Sequence, residues 1–317
     1  MTAVLTTVLS YYAEPGIMTD PHEHAEMFAS LPGDIPALSR IVQGLLMHSH
    51  AARLYNVKTR SDRRHEVHLR PIAQILASIK EMDERPLTIA RPPHLRFAGN
   101  CRTFASMTCA MLRHCGIPAR ARVGFAAYFD DHRNWDHWVC EYWNASQQRW
   151  VLVDAQLDEI QRDDLHIDFD PCDVPRDQFI LAGAAWQLCR TKQANPRSFG
   201  FFPHCGLPFI CGNLLLDLMS LNKVELLPWN RPWDLAEQKT FTTGDLAYLD
   251  SIAELMADID DRFPQLRYIY ENDPKIYIPV ERYLQDLEDE GEIYEGIEDI
   301  WPDYPSQEDF FFNEDEY

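Results

Sequence analysis

Asn100-Cys101-Arg102-Thr103-Phe104-Ala105-Ser106-Met107-Thr108-Cys109-Ala110-Met111-Leu112-Arg113-His114-Cys115-Gly116-Ile117-Pro118 is the stretch on which the fold turns. Phe104, Met107, Thr108, Met111, Leu112 and Cys115 recur at three-four spacing and predict one buried stripe of a helix. Asn100 is a good N-cap, and Gly116 followed by Pro118 is a stop. Cys101 then falls in the first helical turn, where unpaired N–H groups and the positive end of the dipole favour a thiolate. A small buried core residue is the other reading of a free cysteine. A nucleophile needs a base. His114 cannot be that base, because it lies about 20 Å along the helix axis from Cys101.

Downstream, Ala121–Phe129, Asp136–Trp143 and Arg149–Ala155 read as strands, the last two flanking the polar turn Asn144-Ala145-Ser146-Gln147 as an antiparallel hairpin. If Ala145 and Ser146 form a two-residue turn, Asp154 stands directly opposite His137 and both side chains share a face. A longer loop moves that register. Asp136 and Cys140 point to the other face.

Gly99-Asn100-Cys101-Arg102-Thr103-Phe104, Asp136-His137-Trp138-Val139 and Trp150-Val151-Leu152-Val153-Asp154 together resemble the three motifs of the transglutaminase-like superfamily, in its order and spacing. Gly116-Ile117-Pro118-Ala119-Arg120 and Phe169-Asp170-Pro171 extend the likeness to bacterial transglutaminase-core proteins. The resemblance implies an α+β, papain-like fold in which a cysteine-bearing helix packs on an antiparallel sheet. It implies a Cys101–His137–Asp154 triad performing acyl transfer on an amide, with the Cys101 backbone N–H as oxyanion donor. Asn100, Trp135 and Trp138 are the further substrate or oxyanion candidates, with helix capping as the alternative role for the Asn100 amide. Animal transglutaminases place Gln before and Trp after the nucleophile and a further Trp upstream; here those neighbours are Asn100 and Arg102, and the first tryptophan is Trp135. No EF-hand-like loop is present in the sequence. Water as acyl acceptor gives an amidase or peptidase, and a primary amine gives a transferase. A catalytically silent binding or scaffold protein of the same fold is the rival reading.

The rest of the chain bounds these expectations. Its 317 residues carry 29 Lys+Arg against 50 Asp+Glu, a formal charge of −21. That excludes ordinary nucleic-acid binding, which needs clustered cations. Fourteen of the acids lie in Asp286–Tyr317 with no Lys or Arg, so the acidity belongs largely to an aromatic-rich tail. That tail, with Gln307 and Asn313 among its aromatics, reads as a solvated or surface-packed segment, with pseudosubstrate docking as the alternative. Eight cysteines contain no CxxC pair, which argues against a zinc or thioredoxin motif. The N-terminus lacks a basic leader, so a cytoplasmic location with reduced thiols is expected. The uncharged segment Ser198–Leu216 is broken by Pro203 and Pro208 and is not read as a membrane span. The expected partners are an amide-containing small molecule or peptide and, as the alternative acceptor, a primary amine; no cofactor, metal or membrane is expected.

Periodicity predicts helices over Ile35–Tyr55 and Ile72–Met82, then Phe179–Cys189, Leu214–Leu221 and Leu246–Ile259. The expected organisation is a catalytic core with N-terminal helices over 1–195, a mainly helical extension over 196–285, and the tail over 286–317. His22, Glu23, His24 and Glu26 read as a solvated start rather than a metal site. His48 and His50 are placed near a helix end, where they could cap its dipole. Asn213 and Asp217, four apart on an apolar helix, share a face and read as hydrogen-bonding across the core, with a pocket role as the alternative.

Overall fold

The computed structural model describes residues 3–58, 61–130 and 132–289. The acidic tail from residue 290 onward, with Gln307 and Asn313, lies outside the described residues.

The chain is α+β. Its helices are α1 (Ala3–Ala13), α2 (Ile35–Leu45), α3 (Ile72–Met82), α4 (Cys101–His114), α5 (Glu159–Asp164), α6 (Ala182–Arg190), α7 (Leu207–Leu221), α8 (Asp234–Glu237), α9 (Thr243–Ala257), α10 (Ile259–Asn272) and α11 (Val280–Asp289). The strands are β1 (Leu46–His48), β2 (Phe97–Gly99), β3 (Ala119–Ala126), β4 (Asn134–Asn144), β5 (Arg149–Val153), β6 (Phe179–Leu181), β7 (Phe199–Phe201) and β8 (His204–Cys205). β1 and β2 form a short parallel pair, and the other six strands form one sheet in the order β6-β3-β4-β7-β8 with β5 also on β4. The expected antiparallel sheet is mixed, because β4 and β7 run parallel.

α4 begins and ends where its sequence says it should. Asn100 Oδ1 accepts from Thr103 N at 3.1 Å while Thr103 Oγ1 accepts from Asn100 N at 3.2 Å, a reciprocal cap. At the other end Gly116 takes φ +72°, Gly116 N donates to Arg113 O and Ile117 N to Leu112 O. This is a Schellman stop, for which glycine is suited because it lacks a Cβ. All thirteen residues from Cys101 to Arg113 are buried.

α4 packs on β3 and β4, and α7 on β3. Ala121, Val123, Phe125, Trp138 and Cys140 join the main hydrophobic core, which runs from Val8 to Val280. Ala126, Val139, Leu152 and Phe179 form a smaller cluster with Tyr128, Leu157 and Val174.

Two boundaries differ from the sequence expectation for nonlocal reasons. The helix expected over 35–55 ends at Leu45, because Leu46, Met47 and His48 pair in parallel with Phe97, Ala98 and Gly99. The helix expected over 179–189 starts as β6, where Phe179–Leu181 pairs with Gly124–Ala126 before α6 begins. No helix among the described residues is long and apolar enough to cross a membrane. The apolar segment near 198–216 instead supplies α7, in which every residue from Phe209 to Leu221 is buried. Such an all-round apolar helix belongs inside a core.

Asp217 on α7 is fully buried, and its carboxylate accepts from Arg122 Nε at 3.0 Å, Arg122 Nη2 at 2.9 Å and Val123 N at 2.8 Å. Asn213 on the same face also hydrogen-bonds across the core to the sheet, Nδ2 donating to Asp136 Oδ1 at 2.7 Å, as the four-residue spacing leads one to expect. Removing one partner of a buried pair strands the other. Asp217→Ala is therefore expected to cost about 3–5 kcal/mol of folding free energy, read as a fall in the urea midpoint.

Candidate active site

β4 is the strand that makes this corner. Along one edge β5 covers Cys140–Asn144 and β7 covers Asn134 and Trp135, so among the described residues Asp136–Val139 has no strand beside it there. The N-terminus of α4 fills that gap. The Cys101 sulfur lies close enough to the backbone N–H groups of Trp138 and Arg102 for both to favour its ionised form.

His137, the residue before Trp138, binds Asp154: Nε2 and Oδ2 are 2.8 Å apart. Asp154 Oδ2 also accepts from Tyr128 Oη at 2.6 Å, and Oδ1 accepts from Gln156 N at 3.0 Å. A carboxylate surrounded by donors is an acceptor at every contact, so the imidazole proton sits on Nε2 and the Nδ1 lone pair is left for chemistry. The rings of Phe129, Tyr128 and Phe179 stand edge-on to His137, with centroids 4.9, 6.0 and 6.2 Å away. Phe179 comes this close because Gly124, directly across the ladder from His137, has no side chain. A Cβ at Gly124 would lie 2.9 Å from the Phe179 ring and 2.4 Å from Ile180 O.

Asp154 reaches His137 by a different register from the expected one. Cys140 pairs with Val153 and Asn144 with Arg149, so four residues, not two, form the loop. Asn144 Oδ1 accepts from Ser146 N, Ser146 Oγ and Gln147 N, and Gln148 takes φ +53°, which holds the longer turn. The ladder stops at Val153 and the shift is by two positions, so Asp154 keeps its face and meets His137 diagonally.

The thiol is another correction. Burial pushes the Cys101 thiol well above the ordinary value of 9.0, and the charges of Asp136 and Asp154 push the same way, against the two backbone N–H groups. The first-turn position therefore does not yield a free-standing thiolate. The first-turn donors are outweighed by desolvation and two nearby carboxylates. Asp136 is itself raised by burial, opposed by Arg231 and by the Asn213 amide.

The other sequence candidates take defined places. The Asn100 amide is committed to the helix cap and, through Nδ2, to Val67 O at 3.2 Å. Trp138 is 1% exposed, its indole lies in the main core, and it meets Cys101 through its backbone. Trp135 is buried beneath Phe201 and Phe202, at centroid distances of 6.0 and 5.1 Å. Arg102 ties the start of α4 to the backbone, donating to Arg70 O at 2.6 Å and Glu225 O at 2.8 Å.

Tyr128 was not singled out by sequence. Its only signal was an aromatic at the end of a strand run, while its partner Asp154 is 26 residues away. His48 was misplaced at a helix end. It is a β1 residue paired with Gly99, two positions before Cys101. His22–Glu26 lies in a 3-10 turn, and no group of three His, Cys, Asp or Glu among the described residues is arranged to hold a metal ion.

Residues 77–155 match the model of the Transglutaminase-like superfamily. A crystal structure from Cytophaga hutchinsonii, provisionally named a cysteine protease, is similar at 16% identity over 55% of this chain, with a TM-score of 0.30. This chain spans 45% of that structure's length, and a likeness at that level carries no argument about activity. No match was found among the curated proteins. The family match spans the thiol, the imidazole and the carboxylate described above. Residues 77–155 are thus similar to the transglutaminase-like superfamily over the segment that carries all three groups.

Proposed function

We propose that this protein is a cysteine-dependent acyl transferase or hydrolase acting on an amide, with Cys101 as nucleophile, His137 as general base and Asp154 as the group that orients the imidazole. One observation carries the reading: His137 is bound through Nε2 to a carboxylate that also accepts from Tyr128, one residue from the N–H that meets the Cys101 sulfur. In a silent binding protein nothing would require a buried imidazole with a fixed tautomer beside a helix-start thiol.

Cys101 rests as the neutral thiol, since burial disfavours the thiolate. His137 Nδ1 takes the thiol proton as Sγ bonds to the carbonyl carbon, and the carbonyl π electrons become an oxyanion. The imidazolium, held by Asp154, then gives that proton to the leaving amine as the C–N bond breaks. A thioester remains on Cys101. Water or a primary amine attacks it, giving up a proton to His137, and the regenerated thiol takes that proton back. The core of the expected domain organisation, residues 1–195, would hold this chemistry, with the helical extension supporting its sheet.

A glutamine-peptide panel with and without a labelled primary amine tests the acceptor. Amine incorporation marks transamidation, ammonia release alone marks hydrolysis, and Cys101→Ala is expected to abolish both. Neither product from any amide tested, with Cys101 no more reactive than the other cysteines, would favour the silent rival. Asp154→Asn is expected to lower turnover about 10³–10⁴-fold by disturbing the imidazole tautomer.

A pH profile tests the ion-pair step separately. The Cys101 thiol is raised by burial, so without an acceptor it stays protonated at neutral pH and ionises only in alkaline solution. Iodoacetamide labelling of Cys101 in His137→Ala, followed by peptide mass, is expected to keep rising through the ordinary cysteine value of 9.0, whereas the wild type labels near neutral pH.

A further inference from the structure

A tetrahedral oxyanion is best held by two donors fixed before the reaction begins. The N–H of Cys101 is one, since a residue at the first helical position has no partner within its helix. The Asn100 amide is already drawn toward other partners, its oxygen at the cap and one Nδ2 hydrogen at Val67.

We propose that the second donor is the Nε2–H of His48, delivered to the nucleophile by the parallel pairing of β1 with β2. His48 stands opposite Gly99 in that ladder, and Gly99 is two residues before Cys101. His48 Nδ1 accepts the backbone N–H of His50 at 3.2 Å, so the neutral ring carries its proton on Nε2. The ring is held from behind: His50 stands edge-on to it with centroids 5.3 Å apart, and His50 in turn lies 6.2 Å from Phe201 of β7. His137 is close enough for its charge to act on His48. Burial, with His50 and His137 nearby, holds its protonation well below the ordinary histidine value. A neutral donor serves this site well, since a second cation would oppose formation of the His137 imidazolium.

The inference rests on Cys101 being the acyl-accepting nucleophile. The bland alternative is that His48 only braces the turn at residues 48–50. Two reactions of the same sulfur separate these. Acylation by p-nitrophenyl acetate forms a thioester at Cys101 and releases p-nitrophenolate through an oxyanion, with the thiol proton passing to His137. Alkylation by iodoacetamide displaces iodide and forms no oxyanion. In the full-length protein, His48→Ala is expected to slow Cys101 acylation about 100-fold while leaving its alkylation rate within about twofold. His48→Gln, which restores a side-chain N–H, is expected to recover most of the acylation rate. Equal loss in both reactions shows a brace and overturns the proposal, as does no change in either. If wild-type Cys101 is alkylated but never acylated above the Cys101→Ala background, acyl transfer itself is the failed premise, and the role of His48 falls with it.

Discussion

The start of α4, set against an uncovered stretch along one edge of β4, organises this molecule. β4 is the longest strand, and one of its edges is shared by β5 and β7, which leave Asp136–Val139 open between them. An open sheet edge inside a protein must find acceptors for its N–H groups. Here the Trp138 N–H faces the Cys101 thiol closely enough to favour its ionised form, the thiol being presented by the start of a helix whose two ends are both fixed by local motifs.

Around that contact the protein sets opposing demands. Burial stiffens the site: His137 is 1% and Asp154 2% exposed, whereas Cys101 at 8% is the most open of the three. The same burial raises the thiol's affinity for its proton. Reactivity is therefore a property of the group of residues together and not of the sulfur alone. Tyr128 and the Gln156 N–H keep Asp154 a hydrogen-bond acceptor, Asp154 fixes the imidazole tautomer, and the aromatic rings around His137 exclude the water that would weaken these bonds.

What the sequence made legible was local. Asn100 and Gly116 marked both ends of α4, because caps and left-handed stops depend on residues within a few positions. The face shared by His137 and Asp154 was also readable, since strand alternation survives a register error of two. The error itself came from a turn held by the Asn144 carboxamide and a left-handed Gln148, which a count of polar residues does not reveal. The overrun of α2 past Leu45 came from pairing with residues 97–99, and the roles of Tyr128 and His48 depend on partners far along the chain. The expected lowering of the thiol's proton affinity failed because the helix start is visible in sequence while the depth of burial is not.

The burial of α7 has a consequence for the order in which the molecule is made. Synthesis proceeds from the N-terminus, so the nucleophile helix and the strands bearing His137 and Asp154 leave the ribosome before residue 217 exists. Until it does, the Val123 N–H lacks the Asp217 carboxylate, the Arg122 guanidinium keeps its bond to Glu141 but not the pair to Asp217, and β3 lacks one of the helices that cover it. A nascent chain of that length holds Cys101, His137 and Asp154 yet lacks a helix that supports their sheet, so the finished arrangement awaits α7, a segment that contributes none of the three.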